Sequence, residues 1–187
     1  MTAPFAEYEL TSLPWPDLRT SMALGSRHVL DPARGTYVSR RPSDEIWVEG
    51  SARLFELGWG GTQNHALWCR DGVWQLNDLG HANAVRVNGN RLTPRERAEP
   101  HALKSHQRIE PATGLVFTFF QRDDLEPIAA QLADHPDALD QISRRGWGSE
   151  DERVLVDWIL ERGRLSRDDA LRAIQHFRYR LAQTGTL

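Results

Sequence analysis

The run Asp78-Leu79-Gly80-His81-Ala82-Asn83-Ala84-Val85-Arg86-Val87-Asn88-Gly89, continued by Asn90-Arg91-Leu92, decides how the chain is read. Asn88-Gly89 supplies the two positive-φ positions of a type I′ turn, which predicts a tight β-hairpin from Val85 to Leu92. A Gly-Xaa-Xaa-Asn loop, Gly80 to Asn83, leads into it. Further upstream, Thr62-Gln63-Asn64-His65 is a second loop, rich in hydroxyl and amide groups, in front of the apolar run Ala66-Leu67-Trp68. Loops gathered at one end of a rigid scaffold are where binding residues are commonly carried.

Outward from this stretch, everything up to Gln121 has the same texture. Tyr37-Val38, Ile46-Trp47-Val48, Arg53-Leu54-Phe55-Glu56-Leu57, Val73-Trp74-Gln75-Leu76, Arg108-Ile109 and Leu115 to Phe120 are short runs of β-favouring residues. Turn signals such as Asp71-Gly72 and Ala112-Thr113-Gly114 separate them, and strands at this spacing predict a β-sandwich or barrel. Beyond Gln121 the period becomes helical. Leu125, Ile128, Ala129 and Leu132 share a face, with Pro127 in the first turn. Ser149-Glu150-Asp151-Glu152 reads as a capping box before Val154, Leu155, Trp158 and Ile159, with Gly163 as the stop. Ser166 to Asp169 repeats that signature before Ala170, Leu171, Ile174, Phe177 and Leu181. The division predicted is residues 1–33 as an N-terminal extension or first strands, 34–121 as a β-sandwich and 122–187 as a helical region.

Composition excludes whole classes. The chain has 187 residues, with 23 Lys+Arg against 26 Asp+Glu. The first 120 residues hold 13 of each sign, so the net charge of -3 falls in the helical part. Neither a polybasic nucleic-acid binder nor an acidic disordered tail looks like this. A single cysteine, Cys69, excludes an internal disulfide framework. The longest apolar run, Gly114 to Phe120, is far short of the ~20 residues of a membrane helix. Glu7 and Glu9 interrupt any signal-peptide pattern. The expectation is a soluble, cytoplasmic protein.

Enzyme motifs fail when tested. Gly58-Trp59-Gly60-Gly61 is followed by no Gly-Lys-Ser/Thr and reads as a turn. The seven histidines are scattered, His101 and His106 lacking metal-pair spacing and a third ligand, so neither a metal nor a cofactor is expected. Cys69 within Leu67-Trp68-Cys69 reads as a buried, inert thiol. Trp68, Trp74, Phe117 and Phe119 read as core. The chain is expected to be non-catalytic.

The two loops resemble the forkhead-associated (FHA) domain, whose pattern is Gly-Arg, then Ser-x-x-His, then Asp-Leu-Gly-Ser-x-Asn-Gly-Thr-x-Val-Asn-Gly. Thr62 stands at the Ser position, His65-Ala66 match the His-Ala that commonly follows, and Asp78 to Gly89 aligns over twelve consecutive positions. Ser39-Arg40-Arg41-Pro42-Ser43-Asp44-Glu45-Ile46 is the segment similar to the Gly-Arg element. More residues than usual then separate Ile46 from His65, making Glu49 to Trp59 an insertion or an extra strand. The resemblance covers about Arg34 to Gln121.

The fold implied is an FHA-like antiparallel β-sandwich, mainly β, followed by an α-helical C-terminal region. The function implied is phosphothreonine-peptide recognition by the loops at one end, as a protein-protein interaction module in bacterial-type signalling. A phosphate carries about -1.5 to -2 charges and three acceptor oxygens, so it needs a cation and several neutral donors. By resemblance Arg40 takes the phosphate, with Arg41 as a substitute; Thr62 and Gln63 are donors, and Asn83 holds the peptide main chain. His65, Gly80, Asn88 and Gly89 shape the loops, His65 bracing from beneath. Ser39 and Ala84 stand where the pattern has Gly, and His81-Ala82 where it has Ser and a polar residue. A positive φ at Ala84 would cost about 1 kcal/mol.

Two alternatives stay open. A degenerate sandwich could bind an unmodified partner, or a second copy of the chain through its C-terminal helices. The helix pair could instead be a helix-turn-helix, but seven Arg against six acidic residues from Asp151 onward disfavours nucleic acid.

Overall fold

The computed structural model describes residues 3–49, 52–80, 83–135, 137–138, 142, 150–162 and 165–184. Two compact units divide at Gln121/Arg122.

The first unit is built from eleven strands among the described residues: β1 (Ala6–Ser12), β2 (Arg27–Val29), β3 (Thr36–Ser39), β4 (Ile46–Trp47), β5 (Gln63–Arg70), β6 (Val73–Asp78), β7 (Arg86–Val87), β8 (Asn90–Arg91), β9 (His101–Ala102), β10 (Gln107–Ala112) and β11 (Leu115–Gln121). They form a six-stranded sheet in the order β2-β1-β11-β10-β7-β8 and a five-stranded sheet in the order β4-β3-β5-β6-β9. All named pairs are antiparallel except β3 with β4, which run parallel. The first strands therefore come from the N-terminal segment: β1 lies against β11, with Tyr8 opposite Phe119 and Leu10 opposite Phe117.

Tyr8, Leu10, Ile109, Phe117 and Phe119 from one sheet and Val38, Leu67, Trp74 and Leu76 from the other form a single buried cluster. The Tyr8 ring stacks on Phe117 at 4.8 Å. The expected hairpin is present, Val87 pairing Asn90 across Asn88 (φ 51°) and Gly89 (φ 81°). Only a residue without Cβ, or Asn, takes these angles cheaply, which is why the Asn-Gly dipeptide sets this register.

Three readings need correction. Arg53 to Leu57 is not a strand: Ala52–Glu56 is a helix, α1, whose one buried side chain is Leu54. A single anchored turn leaves too little sequence for a helical period to be visible. Trp68 is half-buried and packs edge-on against Tyr37 outside the core cluster, because it sits on the opposite face of β5 from Leu67. Cys69 is likewise half-buried, and burial raises its thiol pKa, which keeps it in the unreactive form. A second short helix, α2 (Pro94–Ala98), carries a complete capping box, Thr93 with Glu96, and Pro at its start.

In the second unit, a 3-10 turn (Asp123–Leu125) precedes α3 (Glu126–Ala133), α4 (Glu150–Arg162) and α5 (Arg167–Gln183). Ser166 caps α5 by accepting from the Asp169 amide. Leu155, Val156 and Ile159 carry the buried stripe of α4, whereas Val154 is exposed. Ser149 and Gly163, the expected bounds of that helix, lie outside the described residues, as does Gly185. Asp169 accepts from Arg122, Arg172 and the Ser166 hydroxyl. Burial alone would raise its pKa, but these donors lower it to about 2. Arg180 makes a two-pronged pair with Glu126. Arg172 and Arg180 are thus held by carboxylates of their own unit, which removes much of the cationic face a DNA backbone would require.

Candidate functional site

Strand register decides where the loop residues emerge. Arg40 directly follows β3, whose last residue, Ser39, pairs with Gln63 at the start of β5. The Arg40 amide donates to the Thr62 carbonyl at 2.9 Å. β5 and β6 pair with His65 opposite Asp78, and the Leu79 amide donates to the Asn64 carbonyl at 2.8 Å. The loop after β6, which bears Asn83, therefore leaves the sheet at the end where Arg40 and Thr62 stand. The turn between β10 and β11 joins them, the Thr113 amide donating to the Leu57 carbonyl at 2.8 Å.

Thr62 and Arg41 are exposed, while Gln63 is half-buried. Ser39 is buried, and its hydroxyl accepts from the Arg41 amide at 2.8 Å, so the serine in place of glycine closes the corner that carries both arginines. The Arg40 guanidinium lies over the Phe55 ring, 4.3 Å from its centroid. Its Nε is buried without a hydrogen-bond partner among the described residues.

Asp78 holds the Asn83 loop. Its fully buried carboxylate accepts from the Gly80 amide at 2.9 Å and the Val85 amide at 3.2 Å, spanning the loop. Arg97, from α2, places its Nε 3.0 Å from Asp78 Oδ2, at an angle too poor for a hydrogen bond, so this contact is Coulombic. Its Nη2 donates to the Gly80 carbonyl. Gly80 is required by close approach: a Cβ there would meet the Asn83 carbonyl oxygen at 3.1 Å and Asp78 Oδ1 at 3.2 Å. Ala84 has no positive φ, so the strain that alanine would suffer in the family's Asn-Gly turn does not arise. His81 and Ala82 lie outside the described residues.

Asn83 Oδ1 accepts from Arg91 Nη2 at 3.0 Å, which orients the amide and leaves Nδ2 as a donor. Asn83 and Phe55 both line a cleft of about 240 Å³, together with Glu56, Arg86, Arg91 and Glu110. Glu110 is compensated by Arg86 and by the Gly114 amide. Among the described residues, no three His, Cys, Asp or Glu side chains converge as metal ligands would.

Beneath the loops, His65 is fully buried. Asn64 Oδ1 lies 2.9 Å from its Nδ1, and the Tyr8 hydroxyl lies 2.9 Å from its Nε2. An Nδ1–H donating to Asn64 leaves Nε2 to accept from the phenol, a chain that ties β1 to the first residues of β5. Burial lowers the His65 pKa from 6.5 to about 3. An unfolded chain takes up this proton near pH 6.5, so it binds more protons than the folded chain between those values. Stability is then complete above about pH 6.5 and falls on acidification toward pH 3, by up to about 1.4 kcal/mol per pH unit. His28, whose pKa burial also lowers, acts in the same direction. Denaturant unfolding at pH 7.5 and pH 5.0 is expected to reveal a loss of roughly 2 kcal/mol, much reduced in His65→Gln. An unchanged pH profile in that variant would contradict the assignment.

Neither Arg97 nor Phe55 is among the site residues expected from the sequence. The signal for Arg97 was present, since Thr93-Pro94-Arg95-Glu96 is a capping box with Pro at the first helical position, placing Arg97 in the last turn of α2. Phe55 had no such signal.

No family model matches the chain, and no curated protein matches it. Among solved structures, it is similar to the FHA domain of an Arabidopsis thaliana hypothetical protein, with 18% identity and a TM-score of 0.50, covering 65% of this chain and 88% of that one. It is also similar to the kinase-interacting FHA domain of an Arabidopsis kinase-associated protein phosphatase, with 15% identity and a TM-score of 0.47 over 64% and 95% of the two chains. A third is the MEK1 FHA domain in complex with a phosphothreonine peptide, with 17% identity and a TM-score of 0.44 over 65% and 99%. The first likeness identifies the fold of the β-sandwich as that of an FHA domain.

Proposed function

We propose that this protein is a phosphothreonine-peptide recognition module, binding its partner at the loop end of the sandwich. The observation that carries this reading is the common strand end from which Arg40, Thr62 and the Asn83 loop emerge. In this scheme Arg40 supplies the positive fork for the phosphate, with Arg41 beside it, and the Thr62 hydroxyl adds a neutral donor, with Gln63 behind it. Asn83 Nδ2 donates to a main-chain carbonyl of the peptide next to the phosphothreonine. The partner is a protein modified by a Ser/Thr kinase, and the module contributes recognition rather than chemistry. His65, Gly80, Asn88 and Gly89 shape the loops without touching the ligand.

A phosphothreonine-centred degenerate peptide library is the appropriate probe, because the partner's sequence is unspecified. Saturable binding, abolished by phosphatase treatment of the library, is the expected result. Equal binding before and after dephosphorylation would instead assign the module to an unmodified partner.

A further inference from the structure

The segment between β4 and β5 is longer than the FHA-like pattern needs, and part of it folds as α1. Leu54 is fully buried, the Trp59 amide donates to its carbonyl at 2.9 Å, and the Trp59 indole donates to the Gly61 carbonyl at 3.1 Å. With the Leu57 carbonyl also engaged by Thr113, the end of α1 is fixed against the loops. Phe55, on this anchored turn, is 45% exposed, so its ring face is open to a neighbouring side chain.

Its ring meets the guanidinium of Arg40. No carboxylate pairs with Arg40 among the described residues, and Nε is buried without a hydrogen bond, whereas Nη1 and Nη2 are not among the buried unpaired atoms. We propose that Phe55 is a positioning residue for Arg40: the ring holds the guanidinium plane, covers Nε, and leaves the two terminal nitrogens as the donors for a phosphate. This rests on the reading of Arg40 as the phosphate ligand. Stacking is attractive between a cation and a ring face, and it fixes a side chain that otherwise loses several rotatable bonds on binding. A carboxylate in the same position would hold the arginine equally well but would cancel the charge the phosphate needs. An aromatic ring orients the group and leaves its charge intact.

The test measures affinity for the phosphothreonine-centred library in wild type, Phe55→Leu and Phe55→Trp, alongside the Arg40 Nε–H resonance without peptide. Leucine keeps apolar bulk and removes the π face; tryptophan restores it. Phe55→Leu is expected to weaken binding about 5- to 10-fold, with an unchanged unfolding midpoint. Phe55→Trp should bind like wild type. The Nε–H signal should carry a ring-current shift in wild type that Phe55→Leu loses. Wild-type binding that Phe55→Leu retains in full, or that Phe55→Trp loses as much as Phe55→Leu does, overturns this inference alone. Absence of phosphate-dependent binding in wild type overturns the phosphothreonine reading and this inference with it.

Discussion

Arg40→Ala is expected to weaken phosphothreonine-peptide binding by at least about 100-fold, while leaving thermal stability almost unchanged. Two hydrogen bonds from a guanidinium to a phosphate contribute about 1.5 to 3 kcal/mol each, which corresponds to roughly two to four decades in affinity. The small structural cost follows from what Arg40 touches. Its amide bond to the Thr62 carbonyl is kept by any residue except proline, and no ion pair is broken among the described residues. Arg40→Lys keeps the charge but not the planar fork, so an intermediate loss is expected. Calorimetric titration with the phosphothreonine library separates the three proteins. An Arg40→Ala protein that binds within about threefold of wild type would remove Arg40 from the site.

Asp78→Ala is expected to have the largest effect on the fold of the loop end, destabilising the sandwich by about 3 kcal/mol or more. The substitution strands two backbone amides, those of Gly80 and Val85, at about 1 to 3 kcal/mol each, and leaves Arg97 without its counter-charge. Arg97 is 27% exposed and can turn toward water, which limits the penalty on that side. For a unit of this size the melting temperature should fall by about 10 °C. Asp78→Asn retains one acceptor and should fall less. Because the same carboxylate spans the loop that carries Asn83, peptide affinity should drop even in the fraction that stays folded. Melting of Asp78→Ala within about 2 °C of wild type would show that the loop is held by something else.

The parts of this molecule that were readable from sequence are those in which a local rule and the global register agree. Asn88-Gly89 admits one turn type, and that turn fixes which residues of β7 and β8 face each other. The Asp78 to Gly89 run aligns with the FHA pattern because a buried carboxylate, a glycine without room for Cβ and a hairpin must follow one another at fixed intervals. His65 is legible only as the histidine of the Ser-x-x-His pattern; its burial and its two hydrogen bonds depend on Tyr8, far away in the sequence, and on Asn64. The unreadable parts depend on contacts between distant segments. Arg53 to Leu57 is too short to show a helical period, and the burial of Leu54 against the sandwich is what distinguishes this turn of helix from a strand. Arg97 stands 19 positions from Asp78, and nothing local in either residue announces the pairing. Trp68 looks like core because it is large and apolar, whereas strand alternation sends it to the face opposite Leu67.

The most direct measurement of the central claim is a backbone and side-chain NMR titration of the full chain with the phosphothreonine-centred library, repeated with the dephosphorylated library. Phosphate-dependent shifts gathered on Arg40, Thr62, Asn83 and their immediate neighbours are the expected result, with the helices from Glu126 onward unmoved. Shifts that are identical for the two libraries, or that appear on any other face of the protein, would contradict it.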